Sequence, residues 1–164
     1  MKSYSREDQR KMAAWAADCA ERVLPFFERV HPEDERPRKA VEACRKWVET
    51  GVFRMADIRR ASLDAHAAAR AVKAADDAAC FAARAAGQAV ATAHVPQHAF
   101  GGSYYALKSL AATDREQAET LATTEREWQA QQLPEDLEQE FLRRVVIETR
   151  RTGIFVTVRK DEDF

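Results

Sequence analysis

Alanine is the feature that most restricts the fold, because it supplies about a fifth of this 164-residue chain, against five glycines and five prolines. Its side chain loses no rotamer entropy in a helix and does not crowd the preceding turn, so it is the strongest helix former. The densest stretch, residues 82–93, is alanine-rich enough for neighbouring backbones to approach closely. This composition predicts an all-α fold.

Apolar side chains recur at spacings of three and four along seven segments, as on the buried face of a helix. Glycine and proline separate the segments, and Pro25 is expected to end or kink the first helix. Short breaks predict a bundle or a short stack of about seven helices. The predicted segments begin near Ser5–Asp8 and then cover Asp34 to about Thr50, Met55–Ala75, Asp77–Ala93, Gln97–Ala111, a stretch after Thr113 or Asp114, and Glu135–Arg150.

The C-terminal residues differ in character, since the stretch 153–159 is rich in β-branched side chains. A lone strand has no partner in an all-helical chain. We therefore predict one helical domain over residues 1–152 and an extended tail over 153–164. The tail is expected to dock as an arm or to pair with a second copy of the chain.

Charge and hydropathy exclude several classes of protein. With 26 basic and 27 acidic residues, the net charge is −1, so the sequence lacks the basic excess of a nucleic-acid-binding protein. It has no run of about 20 apolar residues that could span a membrane. The N-terminus lacks the apolar core of a signal peptide, which predicts a cytoplasmic protein.

No familiar catalytic, nucleotide-binding or metal-binding motif is present, so we predict no catalytic residue, cofactor or metal ion. The widely separated Cys19, Cys44 and Cys80 are expected to be small buried apolar residues. His94 and His98 have the spacing of a metal-binding pair on a helix, but Pro96 lies between them and disfavours a continuous helix. Hydrogen bonding at helix ends or between helices is the alternative for these histidines and for His66.

Arg36 and Arg38 flank Pro37 where the second helix is predicted to begin. The free N–H groups and the dipole of a helix N-terminus favour an anion, and two guanidinium groups would add to that preference. The alternatives are intramolecular pairing, for example with Glu35 or Glu42, and contact with an acidic loop of a partner protein.

Two segments, residues 34–47 and 82–99, carry a family resemblance. Their Arg-Pro-Arg-Lys-Ala-Val-Glu-Ala and Ala-Thr-Ala-His stretches resemble the predicted immunity proteins of bacterial polymorphic toxin systems, of the all-helical, immunity-five-like type. The similarity covers about residues 10–112. It implies a small cytoplasmic protein that binds and blocks a cognate toxin and has no catalytic residues. The first partner-binding candidates are the polar residues of the similar region: Arg36, Arg38, Glu42, Arg45, His66, His94 and His98.

Three hypotheses of function remain open from the sequence. The first is a toxin-neutralising immunity protein. The second is a structural or regulatory protein that forms a homo-oligomer, such as a homodimer through the C-terminal segment, and it predicts an exposed apolar patch. The third is an enzyme with an unfamiliar site, which predicts that the three histidines converge with Arg36 and Arg38 in one pocket.

Overall fold

A computed structural model describes residues 2–164, and these fold into seven α-helices followed by a two-stranded antiparallel hairpin. The mostly helical fold confirms the prediction from alanine content and periodicity. The elements are α1 Arg6–Val30, α2 Arg36–Thr50, α3 Met55–Val72, α4 Asp77–Ala91, α5 His98–Thr113, α6 Ala118–Gln131, α7 Glu135–Arg144, β1 Val145–Arg150 and β2 Gly153–Val158.

Helix α4 lies at the centre of the molecule and packs against α1, α2, α3 and α5. Ten of its fifteen residues are buried, and nearly all of the ten are alanine or glycine. Small side chains let four neighbours approach one helix on several sides, so alanine shapes the packing here as well as favouring the helix. Larger side chains from the surrounding helices, including Phe27, Trp47 and Leu107, complete the core.

Helix boundaries follow local chemistry at several predicted positions. The Ser5 hydroxyl accepts a hydrogen bond from the Asp8 N–H at 3.0 Å, and the Asp76 carboxylate accepts one from the Ala79 N–H at 2.8 Å. Gly51 ends α2 with a left-handed φ of 68°, which glycine adopts without a Cβ clash. The predicted break before α4 is confirmed.

Pro25 does not end α1, which continues to Val30. A proline inside a helix removes one backbone hydrogen bond and crowds the turn before it. The last turn persists here because Phe27 is fully buried and anchors it to the core. Of the two predicted outcomes, an end at Pro25 is therefore wrong.

The C-terminal region also differs from the prediction. Helix α7 ends at Arg144 rather than Arg150, and residues 145–150 form strand β1, which pairs with β2 in the register Val145↔Val158. The expectation of a strand without a partner is therefore wrong. The run Val145-Val146-Ile147 is β-branched and favours a strand once a second strand is available to pair with it.

An ionic cluster around the buried side chains of Glu140 and Arg144 joins the two ends of the chain. The carboxylate of Glu140 accepts hydrogen bonds from Lys2, Tyr4 and Arg144, and Arg144 also binds Asp161 at 2.9 Å. Burial opposes ionisation of Glu140, but these three donors outweigh it and hold its pKa below the ordinary value. The cluster fixes the segment after the hairpin against α7 and the N-terminus.

The three cysteines are buried and form no disulfide, as predicted. Trp15 and Trp47 are buried, whereas Trp128 is only half-buried and carries the guanidinium of Arg22 at 3.8 Å from its ring centroid. Across residues 2–164, no helix has the length and apolar character needed to cross a membrane.

Candidate functional site

Helices α3, α4 and α5 surround a cavity of about 330 Å³ that contains all three candidate histidines. His66 comes from the middle of α3, His94 from the turn after α4, and His98 from the first position of α5. We call this the histidine cavity; its polar lining is Arg59, Ser62, His66, Gln88, His94 and His98. His66 is distant in sequence from His94 and His98, and the crossing of three helices brings all three together.

Two glycines pack closely against side chains that line this cavity. A Cβ at Gly87 would lie 2.9 Å from Nε2 of His66, and a Cβ at Gly101 would lie 2.7 Å from Oε1 of Gln88. Both distances are too short for a real contact, so the glycines provide the space that the two polar side chains occupy. Gly87 lies in the alanine-rich stretch 82–93, where the sequence predicts a close approach of neighbouring helices.

A hydrogen bond between helices fixes the orientation of His98. Its Nδ1 lies 2.7 Å from Oε1 of Gln88, one turn above Arg84 on α4. Because an amide oxygen only accepts hydrogen bonds, this contact needs the imidazole proton on Nδ1 and leaves Nε2 as an acceptor. The prediction that a histidine bonds between helices is thus confirmed for His98.

The electrostatic environment of the histidine cavity is positive. Burial, reinforced by Arg84 and Arg70, lowers the pKa of the His66 imidazole below its ordinary value. Burial, together with His94 and Lys160, also lowers the pKa of His98. Although the chain has 27 acidic residues, no Asp or Glu among residues 2–164 lines this cavity.

The other candidate residues lie on α2, where the arginines already bind carboxylates. Arg36 binds Asp34 at 2.7 Å and Arg38 binds Glu28 at 2.6 Å. Arg45 reaches both Asp18 and Glu21 on α1. We call Arg36, Arg38 and Arg45 with these partners the arginine face.

Glu42 lies exposed on the same helix, and its negative charge favours the charged form of Arg38. Arg36 lines a separate cavity with His31 and Lys39, while the three histidines line the cavity between α3, α4 and α5. The single pocket of histidines with Arg36 and Arg38, which the enzyme hypothesis predicts, is therefore not what residues 2–164 form. Within the same residues, no group of three or more His, Cys, Asp or Glu side chains could hold a metal ion.

A second cavity, of about 440 Å³, lies on the other side of Gln88 and His98. We call it the tyrosine cavity; its lining includes Gln97, Tyr104, Tyr105, Thr157, Lys160 and Phe164. One wall comes from α4 and α5, and the opposite wall comes from β2 and the residues after it. Sequence reasoning missed Arg59, Gln88, Gln97 and Lys160, because isolated polar residues without a motif give no signal of convergence.

The sequence profile of the family described as "Imm-5 like putative immunity protein" matches residues 2–136. The chain belongs to this family. No curated protein and no solved structure matches it. In this Imm-5 like protein, the arginine face and the histidine cavity lie entirely within the matched region, whereas the hairpin wall of the tyrosine cavity lies outside it.

Proposed function

We propose that this protein binds a cognate bacterial toxin in the cytoplasm and neutralises it. The observation that carries the proposal is the match to an immunity-protein family over residues 2–136. A bundle of packed helices suits such a role, because a preformed surface loses little conformational entropy when it binds. The proposal assigns the protein an inhibitory rather than a catalytic part.

The toxin-binding surface in this proposal is the mouth of the histidine cavity. Exposed apolar side chains lie on α3 and on the loop before it, namely Val52, Phe53, Met55 and Leu63. An apolar cluster around a few polar groups is the usual make-up of a protein interface. Of these apolar side chains, Met55 and Leu63 line the cavity together with the three histidines, so apolar and imidazole groups share one surface.

Charge indicates the chemistry of the partner. Arg59 at the cavity has no carboxylate beside it in the lining, whereas each arginine of the arginine face already binds one or two carboxylates. A toxin that used the arginine face would first have to displace those carboxylates. We therefore propose that an acidic surface of the toxin meets Arg59 and the histidines, which adds electrostatic complementarity to the apolar contact.

The test has two stages. Proteins captured by the tagged chain from its native host are expressed singly in a bacterial host, with and without this chain, and growth is measured. We expect at least one captured protein to arrest growth and the wild-type chain to restore it. The proposal fails if none of the captured proteins is toxic, or if the chain does not relieve the toxicity.

Matched variants then locate the surface. Arg59→Glu with Leu63→Asp should abolish rescue, whereas Arg60→Glu, at an exposed neighbouring position outside the cavity lining, should retain it. Arg36→Gln with Arg38→Gln should also retain rescue. Loss of rescue only with the Arg36 and Arg38 substitutions would move the interface to the arginine face and contradict our assignment.

The homo-oligomer alternative is tested in the same preparations by light scattering. A homodimer through the C-terminal segment was suggested by a strand that lacked a partner in the predicted fold. In the structure, that strand pairs with β1 of the same chain. The measured mass is compared with the 18.5 kDa of one chain. A mass of one chain over a wide concentration range would contradict a homodimer through the C-terminal segment.

A further inference from the structure

The tyrosine cavity has the dimensions and lining of a small-molecule site. Its volume of about 440 Å³ falls in the range of about 300–1,000 Å³ that ligand pockets occupy. Apolar and aromatic side chains form most of its walls, and a few polar groups lie among them, as in most such pockets. Toxin binding at the histidine cavity gives this second cavity no role.

One residue of its lining carries a buried polar atom without a partner. Gln97 is only 6% exposed; its amide nitrogen donates to the backbone oxygen of Lys2 at 3.2 Å, while Oε1 has no partner among residues 2–164. The bond to Lys2 also fixes which amide atom is the oxygen, because a carbonyl oxygen can only accept. A buried acceptor without a donor is costly, so a ligand that supplies an N–H or O–H would relieve that cost.

Packing between α4 and α5 positions the other polar groups on the same wall. Gly101 lets Gln88 approach α5, and the hydrogen bond that Nδ1 of His98 donates to Oε1 of Gln88 leaves Nε2 of His98 as an acceptor. Both residues line the cavity. The polar groups are therefore fixed by contacts within the protein rather than by the ligand.

The aromatic side chains and the positive charge of Lys160 indicate which other groups a ligand of this cavity would carry. Tyr104, Tyr105 and Phe164 offer ring surfaces, and the Lys160 ammonium lies 5.2 Å from the centroid of Phe164. No Asp or Glu within residues 2–164 lines the cavity, so Lys160 has no carboxylate to neutralise it there. A planar apolar group packs well against aromatic rings, and an anion is attracted to the lysine.

We propose that the tyrosine cavity binds a small planar aromatic carboxylate that also carries an N–H or O–H donor. Lys160 would hold the carboxylate, the aromatic side chains would contact the ring, and Gln97 Oε1 would accept the donor. This site is distinct from the toxin surface and does not rest on toxin binding.

The experiment uses the full chain and 4-hydroxybenzoate as the probe. Binding is measured by calorimetry and by the NMR signal of the Gln97 side-chain amide. We expect one saturable site and a shift of the Gln97 signal. 4-Hydroxybenzamide lacks the charge and benzoate lacks the donor, and each should bind about tenfold more weakly, the loss expected for one charge-assisted or buried hydrogen bond.

Two variants identify the groups that recognise the probe. Lys160→Gln should weaken binding of 4-hydroxybenzoate about tenfold but leave 4-hydroxybenzamide unaffected. Lys73→Gln, at an exposed position that lines neither cavity, should leave both unchanged. Gln97→Leu should remove the preference for 4-hydroxybenzoate over benzoate, which a purely structural role of Gln97 would not do.

Three results would overturn the proposal. One is the absence of saturable binding at millimolar probe in the folded protein. Another is equal affinity for the acid and its amide. The third is a Lys160→Gln protein that is folded by circular dichroism and binds 4-hydroxybenzoate as the wild type does. Because no toxin is present in these measurements, their outcome is separate from that of the growth experiment.

Discussion

The arginine face and the histidine cavity show two ways in which one scaffold handles basic side chains. On the arginine face, Arg36, Arg38 and Arg45 are each within 2.9 Å of a carboxylate of the same chain. Around the histidine cavity, Arg59 and the imidazoles meet no carboxylate in the lining. A basic residue in a sequence is therefore not evidence of a binding surface until its intramolecular partners are known.

The two regions also differ in what shapes them. The ion pairs of the arginine face join flexible side chains that remain roughly 40% exposed. The histidine cavity is shaped by backbone packing, with Gly87 and Gly101 allowing His66 and Gln88 into the space between helices. We therefore expect substitutions at the histidine cavity to change the free energy of unfolding more than substitutions on the arginine face.

The largest effect should come from crowding the cavity wall. In the wild type, Gly87→Ala places a methyl group against the His66 ring, whereas after His66→Ala the same change should stabilise the protein by about 1 kcal/mol through helix propensity. We expect a coupling free energy of about 1–3 kcal/mol between the two sites in a double-mutant cycle measured by urea unfolding. Additive effects would contradict the packing role of Gly87.

Gly87 also shows how much of the histidine cavity could be predicted from the sequence. The alanine-rich stretch around Gly87 predicted a close approach of neighbouring helices, and His66 of α3 packs directly against this glycine. The sequence could not identify His66 as the contacting group, because that depends on how α3 crosses α4. Gln88 gave no signal, since a single glutamine on a helix is ordinary.

The hairpin shows a different limit of sequence reasoning. Phe141, Leu142 and Val145 continue a helical apolar spacing, so residues 135–150 fitted one helix. Val146 and Ile147 do not fit this spacing. They belong to strand β1, which forms because residues 153–158 pair with it. Local periodicity cannot contain that information, because the deciding hydrogen bonds lie between two segments.

The two regions should also differ, by a smaller amount, in how they change the free energy of unfolding with pH. The lowered pKa values of His66 and His98 mean that the unfolded chain binds protons more readily than the folded protein. Their contribution to stability is therefore complete above their ordinary value of 6.5 and decreases as the pH falls below it. His98→Gln should reduce the loss in free energy of unfolding between pH 7.5 and 5.

The arginine face supplies the control for that measurement. The hydrogen bond from Arg45 lowers the pKa of Glu21, so this pair loses its stabilising effect only as the pH falls below the ordinary glutamate value of 4.5. Between pH 7.5 and 5, Arg45→Gln should therefore follow the wild-type slope. If His98→Gln left the pH dependence of the free energy of unfolding unchanged, the pKa of this histidine would be the same in the folded and unfolded protein, which would contradict the prediction.

The smallest effect is expected from the arginine face itself. Arg45→Gln removes contacts with Asp18 and Glu21, yet half-exposed ion pairs of this kind contribute at most about 1 kcal/mol. Urea unfolding at pH 7 and low salt should show a loss no larger than that, and the loss should shrink in 0.5 M salt because added ions screen exposed charges. A loss of several kcal/mol that persisted in salt would mean that the arginine face holds α1 against α2. In that case the carboxylates would be needed to stabilise the packing of the two helices. The arginine face and the histidine cavity would then differ in their contribution to stability, and not in whether their basic side chains are free to bind a partner protein.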